Sequence, residues 1–215
     1  MQPPSFRVGS TSYVYPADLL TNVLHLAGVV QDIELVLFEL PTGESNLGEL
    51  ADAGEMAAIA REHDCTFTVH LPLDLYGGRN TPALQMAERV INLTAPLTPY
   101  GYVFHIEDRA VGTPEWYDAG QAAIEALLTL VPDSQNLCLE NLESYAPELL
   151  EPFFATYPIA RTLDIGHLWK AGLEPISYLQ QWLPTTRVIH WHGVQQDGSK
   201  IRDHQSLAVM EADKV

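Results

Sequence analysis

Histidine and carboxylate side chains recur in this sequence where short apolar runs end. Such residues close or directly follow runs rich in Val, Ile, Leu and Phe at Glu39, His70, His105, Glu140, Asp164 and His190. Further histidines come shortly afterwards, at His167, His192 and His204. A lone His or Glu in such a place is usually an ordinary loop residue, but a whole set converging on one rim would be costly to bury unless it binds cations. We therefore predict a metal centre assembled from separate segments of the chain.

The mixture of ligand types restricts the metal. Neutral imidazole together with carboxylate suits Zn²⁺, Mn²⁺ or Fe²⁺, whereas Ca²⁺ and Mg²⁺ prefer sites made of oxygen alone. The candidates exceed what one catalytic ion needs, so we expect two or three divalent ions, of zinc or manganese. A carboxylate that bridges two ions about 3.5–4 Å apart is the arrangement used for phosphoester hydrolysis.

Nucleophilic cysteine catalysis is not expected. Cys138 lies two residues before Glu140 and would share its strand face, which predicts a thiol in the interior of the sheet. No histidine stands beside Cys138 in the sequence to activate it.

The elements that must position these residues alternate regularly along the chain. Predicted strands cover residues 7–13, 32–40, 66–71, 100–107, 136–141, 160–165 and 187–194. Predicted helices cover residues 16–27, 47–64, 82–93, 114–130, 147–156 and 175–183. This alternation predicts βαβ units, and seven strands without a glycine-rich phosphate loop favour a TIM-type (β/α) barrel over an open α/β sheet. We expect a single domain over residues 1–215.

The eighth strand of a full barrel is not readable. After the seventh run the sequence indicates a loop and a short helical stretch, and the chain is about 35 residues shorter than the roughly 250 of a complete barrel. Two interpretations follow: the chain is a fragment or a natural truncation of a barrel, or something else covers the open seam. Because an uncovered strand edge invites pairing with another chain, a homo-oligomer is the expected cover.

Composition excludes several classes of partner. The 215 residues carry 11 Lys and Arg against 28 Asp and Glu, a formal charge of −17, so the protein is not expected to bind nucleic acid through a basic surface. No apolar run approaches the roughly 18 residues of a membrane span, and the first ten residues do not resemble a secretory signal. The two cysteines fit neither a metal nor a redox spacing. We expect a cytoplasmic protein that acts on a small molecule.

The polar residues also stand in recognisable motifs. His70 in Val-His-Leu-Pro, His105, Glu140-Asn141, the segment Leu163-Asp164-Ile165-Gly166-His167 and His190 closely resemble the xylose isomerase-like, endonuclease IV superfamily of TIM barrels. Sugar isomerases and epimerases of that superfamily usually carry a Glu-Asp-His-Glu set instead.

Finer features, from about Val8 to Leu207, resemble one subfamily, the cobamide-remodelling (CbiR-like) phosphodiesterases. They include Gly-Ser-Thr-Ser-Tyr at 9–13, His-Leu-Pro-Leu-Asp at 70–74, Glu-Asn-Leu-Glu at 140–143 and Asp-His-Gln-Ser-Leu at 203–207.

The resemblance implies a reaction and a ligand set. The reaction would be hydrolysis of the phosphodiester in the nucleotide loop of a cobamide, giving cobinamide phosphate and an α-riboside. His70, His105 and Glu140 would hold one ion, and Glu140, Asp164 and His190 would hold a second, with Glu140 bridging. His167 and His204 would serve a third position. Glu140, Asp164 and His167 are the residues to which the resemblance gives catalytic roles.

Two departures from the superfamily pattern stand out. The closing glutamate of strand eight has no counterpart, which leaves the second ion one ligand short, and Glu39 or His192 are the candidates to replace it. The Asp-x-His of the third position becomes Arg202-Asp203-His204, which puts a third ion in doubt.

A corrinoid also requires flat apolar surface, and aromatic residues near strand ends could supply it. The predicted substrate-binding residues are Tyr13, Tyr15, Glu39, Tyr76, Trp169 and His192, while ordinary packing is favoured for Trp191. Arg79 or Arg202 could contact the substrate phosphate.

Two other functions remain open. A metal-dependent sugar-phosphate isomerase or epimerase would need a pair of carboxylates around the sugar and normally a single ion. A corrinoid- or metal-binding barrel without activity would bind the ligand but not turn it over.

Overall fold

The core of the protein is a parallel β-sheet. The computed structural model describes residues 6–198 and 200–211, so residues 1–5, 199 and 212–215 of the predicted domain lie outside the described residues. Seven strands pair in sequence order: β1 (Gly9–Thr11), β2 (Asp32–Val36), β3 (Thr66–His70), β4 (Gly101–Phe104), β5 (Leu137–Glu140), β6 (Ala160–Asp164) and β7 (Thr186–His190). All pairs are parallel. The seven predicted strands are confirmed, each shorter than the apolar run that predicted it.

Helices connect the strands. They are α1 (Leu19–Leu26), α2 (Ala53–Glu62), α3 (Pro82–Thr94), α4 (Pro114–Leu128), α5 (Glu151–Thr156), α6 (Ile165–Lys170) and α7 (Pro175–Trp182). The predicted helices 47–64 and 147–156 both begin as 3-10 turns, Leu47–Asp52 and Pro147–Leu150. Thr81 caps α3 by accepting a hydrogen bond from the Leu84 N–H, and Pro82 starts the helix at a position where its missing N–H costs no helical hydrogen bond.

Alternation along the strands separates two buried layers. Outward residues such as Ile33, Phe67 and Leu139 pack against the helices in the main core. Inward residues are smaller and fill the barrel, namely Val103, Cys138, Ala160 and Val188. Side chains two residues further along the same face therefore emerge at the carboxyl-terminal mouth of the barrel. By this parity the sheet places His105, Glu140 and His190 at the mouth.

Two elements near the mouth are absent from the sequence prediction. Helix α6 begins directly at the end of β6, and its six residues are too few for a periodic pattern. After β7 the chain forms an antiparallel hairpin, β8 (Gly193–Asp197) and β9 (Lys200–Gln205), where a loop is predicted. Its strands are polar, so only the Asp197-Gly198 turn signals a hairpin, and Gly198 has a φ of +60° that favours glycine.

The barrel is open on one side. Within the described residues, no strand pairs with the free edges of β1 and β7, so the eighth barrel strand is missing, as predicted. Ile189 on β7 and Val8 before β1 are exposed beside this seam. A homo-oligomer that covers the seam stays a prediction.

Candidate metal centre

Glu140 lies at the centre of the barrel mouth. It is the last residue of β5, and only 1% of it is exposed. Its Oε2 lies 2.7 Å from His105 Nε2 and 3.3 Å from His70 Nε2. Its Oε1 lies 2.6 Å from His190 Nδ1. One buried carboxylate therefore faces imidazoles from three other parts of the sheet, two on one oxygen and one on the other.

The second nitrogen of each of these rings has its own acceptor. The contacts are His70 Nδ1 to the Leu71 carbonyl at 3.0 Å, His105 Nδ1 to Asp74 at 3.0 Å and His190 Nε2 to Glu34 at 2.8 Å. A neutral imidazole that donates its one N–H outward keeps the lone pair of its other nitrogen for a metal. The outer contacts thus orient three ring nitrogens toward Glu140, and outer partners of this kind are typical of metal-ligating histidines.

Asp164 completes the group from β6. Its backbone is held by Asn141, whose side-chain oxygen accepts from the Asp164 N–H at 2.9 Å and whose amide donates to the Asp164 carbonyl at 3.1 Å. Its side chain caps α6 by accepting from the His167 N–H at 2.6 Å. The carboxylate also lies 3.7 Å from His190 Nδ1. Asn141 therefore acts as a brace between β5 and β6.

The donor atoms fit a pair of divalent ions. In each of two groups, His70–His105–Glu140 and Glu140–Asp164–His190, the ligand atoms all lie within 4.8 Å of one another. Each group combines imidazole with carboxylate, the donor set of zinc or manganese, and the two groups share Glu140. We call these five residues the inner centre.

Sequence reasoning missed two carboxylates that orient the inner centre. Glu34 lies in the middle of β2 rather than at its end, and it contacts His190 from the far side of the mouth. Parity could have found it, since Ile33 and Leu35 pack outward and Glu34 must then face inward. Asp74 lies in the loop after β3, where strand patterns give no signal.

The charges of the inner centre are strongly coupled. Burial lowers the pKa of His105, but Glu140 and Asp74 outweigh burial and raise that pKa to about 10. Burial also lowers the pKa of His190, but the neighbouring Glu140 and Glu34 outweigh burial and raise that pKa well above its usual value. For Glu140, burial raises the pKa, yet the neighbouring His190 and His105 hold it well below its usual range. The site therefore has a negative field that attracts protons, and the same field favours metal cations.

A second set of residues lies beside the inner centre, on the loop after β5, on α6 and on the region after β7. We call Glu143, His167, His192, Asp203 and His204 the outer group. The buried His167 has its Nδ1 2.9 Å from the Asn141 carbonyl, and its Nε2 lies 3.6 Å from Glu143. The rings of His192 and His204 stack with centroids 4.2 Å apart.

His192 contacts the inner centre. Its Nε2 lies 3.2 Å from Asp164, and its Nδ1 accepts a hydrogen bond from the His204 N–H at 3.0 Å. The strand predicted over residues 187–194 would place His192 on the same face as His190, but β7 ends at His190. The ring of His192 lies instead against Gly166, where an added Cβ atom would come within 2.1 Å of the ring.

The predicted substrate-binding residues are spread over the molecule. Tyr13 is 66% exposed and lines a cavity of about 420 Å³ with Phe38 and Glu49. The Tyr15 hydroxyl lies 3.0 Å from the exposed His25. Glu39 forms an ion pair with Arg89 of α3 at 2.8 Å and belongs to none of the groups of possible cation ligands among the described residues. Tyr76 is half-buried, and Trp169 packs against the small core around Leu163.

The predicted phosphate contacts also lie elsewhere. Arg79 contacts Thr129, and Arg202 pairs with Asp197 within the hairpin at 2.5 Å. Both guanidinium groups are therefore engaged away from the inner centre. Cys138 is fully buried, and burial raises the pKa of its thiol to about 12, in line with a structural role inside the barrel.

Solved structures provide the comparison for this fold. The probable 3-DHS dehydratase AsbF from Bacillus anthracis aligns with a TM-score of 0.61 and 14% identity, over 89% of this chain and 74% of that one. Endonuclease IV from Thermus thermophilus aligns with a TM-score of 0.61 and 17% identity, over 92% and 80%. The 3-keto-D-glucoside 4-epimerase YcjR from E. coli aligns with a TM-score of 0.57 and 14% identity, over 89% and 81%. A xylose isomerase-like TIM barrel/4-hydroxyphenylpyruvate dioxygenase fusion protein also aligns, with a TM-score of 0.65 and 14% identity, over 89% of this chain and 32% of that one.

The chain has the TIM-barrel fold. No protein-family model matches the sequence, and no curated protein matches it. The structural neighbours include a dehydratase, an epimerase and an endonuclease, so the shared fold does not select a reaction, and the activity has to be argued from the site. None of the helices in the described residues is long and apolar enough to cross a membrane.

Proposed function

We propose that this protein is a metal-dependent phosphodiesterase that cleaves the nucleotide-loop phosphodiester of a cobamide, giving cobinamide phosphate and an α-riboside. The observation that carries the proposal is the position of Glu140, whose two oxygens face the imidazoles of two different ligand groups. A carboxylate placed in this way is suited to bridge two ions, and a pair of ions is suited to phosphoester hydrolysis.

The inner centre would hold zinc or manganese, with His70, His105 and Glu140 on one ion and Glu140, Asp164 and His190 on the other. When bound, such ions supply an activated water and neutralise charge on the leaving oxygen. The chain itself contributes the orientation: Glu34 and Asp74 hold the rings of His190 and His105, and Asn141 holds the backbone of Asp164. Glu140 and Asp164 would supply the carboxylate oxygens, and His167 stands one helical turn beyond Asp164.

Surface features support a small substrate. A net charge of −17 opposes a DNA duplex, whereas a single phosphodiester needs little more than the ions. Trp191, for which the sequence favours ordinary packing, follows His190 and is 53% exposed instead, so its ring offers flat apolar surface for a corrinoid. A cytoplasmic location accords with corrinoid salvage and remains part of the proposal.

A sugar-phosphate isomerase or epimerase is the second candidate. Glu34 and Glu140 contact opposite nitrogens of His190, at 2.8 and 2.6 Å, so the mouth does contain a pair of carboxylates such as proton transfer on a sugar would use. Against this, both His70 and His105 approach the same oxygen of Glu140, and that geometry favours a second ion.

The decisive experiment is elemental analysis of the purified protein, followed by incubation with an adenosylated cobamide and separation of the products. We expect about two zinc or manganese ions per chain and release of an α-riboside. Glu140→Gln should abolish release, whereas His25→Ala, on the exposed face of α1, should leave it unchanged. Isomerisation of a sugar phosphate with one ion per chain would favour the second candidate. Corrinoid binding without turnover would indicate an inactive binding barrel.

A further inference from the structure

Part of the outer group forms a third set of cation ligands. Oxygens of Glu143 and Asp203 and a nitrogen of His167 all lie within 4.8 Å of one another. Two carboxylates and an imidazole are a suitable donor set for zinc or manganese. This set has the same donor types as the Glu140–Asp164–His190 half of the inner centre.

A lysine already occupies these donors. The Lys170 ammonium lies 2.5 Å from Glu143 Oε1 and 2.6 Å from Asp203 Oδ2. Lys170 is the last residue of α6 and follows His167 by three positions, so both side chains lie on the same side of this short helix. Its side chain is only 26% exposed, so the ion pairs are partly shielded from solvent.

The inner centre differs in this respect. Within the described residues, no lysine or arginine forms a hydrogen bond or ion pair with any of its five residues, and their partners are imidazoles, carboxylates, amides and backbone groups. The carboxylates of the inner centre thus depend on histidines for positive charge, whereas those of the outer group have a permanent cation.

The three histidines of the outer group do not form a better metal site than the Glu143–His167–Asp203 set. His167, His192 and His204 also bring nitrogens within 4.8 Å of one another. However, His192 Nδ1 accepts from the His204 N–H and its Nε2 contacts Asp164, so both of its nitrogens are engaged. His204 is mostly exposed.

We propose that the ammonium of Lys170 is the resident third cation of this site and keeps a metal ion out of the Glu143–His167–Asp203 set. The inference refines the proposed function, since it limits the catalytic ions to the inner pair. The inference rests on the proposed function only where it limits the number of catalytic ions, because metal binding to the outer set can be measured without any activity assay.

The test is zinc stoichiometry in variants that remove the ammonium. Metal-free protein is incubated with Zn²⁺ alone, passed through a desalting column, and its bound zinc per chain is measured by mass spectrometry. Lys170→Met keeps the length of the side chain and removes the charge, so we expect one more zinc per chain than in the wild type. Lys170→Arg keeps a cation and should match the wild type. Lys200→Met removes an exposed charge from the same hairpin and is the matched control.

A double variant identifies where the additional ion binds. Lys170→Met combined with Asp203→Asn removes a ligand of the outer set and should return the zinc count to that of the wild type. Lys170→Gln, which retains hydrogen bonding, is the second variant if Lys170→Met does not fold, and circular dichroism checks the fold of each protein.

Two results would overturn the inference. One is a zinc count in folded Lys170→Met and Lys170→Gln that does not exceed the wild-type count. In that case the ion pairs of Lys170 only hold the hairpin against α6 and do not exclude a metal ion. The other is a wild-type chain that already binds three ions. If the inner centre binds no metal, the wild-type count is zero and the proposed function fails, but the difference between variant and wild type still tests the role of Lys170.

Discussion

The inner centre and the outer group bring the same residue types together by different means. Each inner ligand stands at the end of a parallel strand or directly after it: His70, Glu140, Asp164 and His190 are the last residues of their strands, and His105 follows β4 by one. The outer residues stand on a helix of six residues, on the loop after β5 and on the region after β7.

The difference shows what a barrel scaffold contributes to a site. Paired strands fix the height and the direction of each side chain, so five separated residues converge, and Glu34, Asp74 and Asn141 then hold three of them in orientation. The outer group needs local devices instead, such as the Gly166 cradle for His192 and the Lys170 ion pairs that fasten β9 to α6. We expect the inner centre to be rigid and essential, and the outer group to modulate it.

Removing the shared carboxylate should have the largest effect. Glu140→Gln keeps the shape of the side chain but removes the charge on both oxygens, so both ligand groups lose their common ligand. We expect cobamide hydrolysis to fall on the order of 10³-fold or more, with little zinc retained after desalting. Steady-state assays and elemental analysis measure the two effects. Turnover at the wild-type rate would contradict the bridging role and, with it, the distinction between the two regions.

Removing an orienting carboxylate should have an intermediate effect. Glu34→Gln weakens the hold on His190 Nε2 without touching a ligand atom, and we expect zinc affinity to fall about 10- to 100-fold. Glu39→Gln is the matched control, because Glu39 follows the same strand but pairs with Arg89 on the surface of α3. Competition titration with a chelating dye gives both affinities, and equal affinities in the two variants would remove the orienting role of Glu34.

The sequence predicts the strand-borne part of the molecule well, because parallel strands have a pattern that short segments reveal. Seven apolar runs locate seven strands, and the polar residue at the end of each run from the third to the seventh lies at the barrel mouth, whereas Glu39 at the end of the second run pairs with Arg89 of α3 instead. The five inner residues could therefore be named before their distances were known. Glu34 is not among the predicted residues, because Glu39 is the carboxylate near the end of its apolar run. The alternation of Ile33 and Leu35 nevertheless places Glu34 on the inner face.

Residues outside the strands were much harder to predict. Asp74 and Lys170 gain their importance from partners 31 and 33 positions away, His105 and Asp203. No local periodicity signals such a contact. The hairpin was missed for a related reason: its strands are polar on both faces, so no apolar alternation separates them from a loop.

Metal binding should depend on pH in a direction that the inner histidines set. The pKa of His105 is raised to about 10 and that of His190 is raised as well, so in the metal-free protein these rings hold protons that zinc must displace. Zinc affinity should therefore rise between pH 6 and pH 8, by up to about tenfold per unit for each proton displaced. Isothermal titration in buffers of different ionisation enthalpy measures the protons released. Affinity that stays constant over this range would show that the rings are neutral without metal.

The metal-free protein should show the opposite trend in stability. A histidine whose pKa is higher in the folded than in the unfolded state stabilises the fold fully below the unfolded value near 6.5, and this contribution is lost as pH rises toward the folded value. With EDTA present, the melting temperature should therefore decrease from pH 6.5 to pH 9. With zinc present, it should not.

The smallest effect is expected at the edge of the outer group. His204 is 69% exposed in its side chain, and it contacts Asp203 and His192 but no residue of the inner centre. Surface substitutions of this kind usually change free energies by no more than about 0.5 kcal/mol, so His204→Ala should alter inner zinc affinity and cobamide hydrolysis by about twofold at most. The backbone N–H that His204 donates to His192 is kept in the variant, which preserves the contact of His192 with Asp164. If His204→Ala instead reduces hydrolysis as strongly as Glu34→Gln does, the outer histidines take part in catalysis and the site is one continuous centre rather than two.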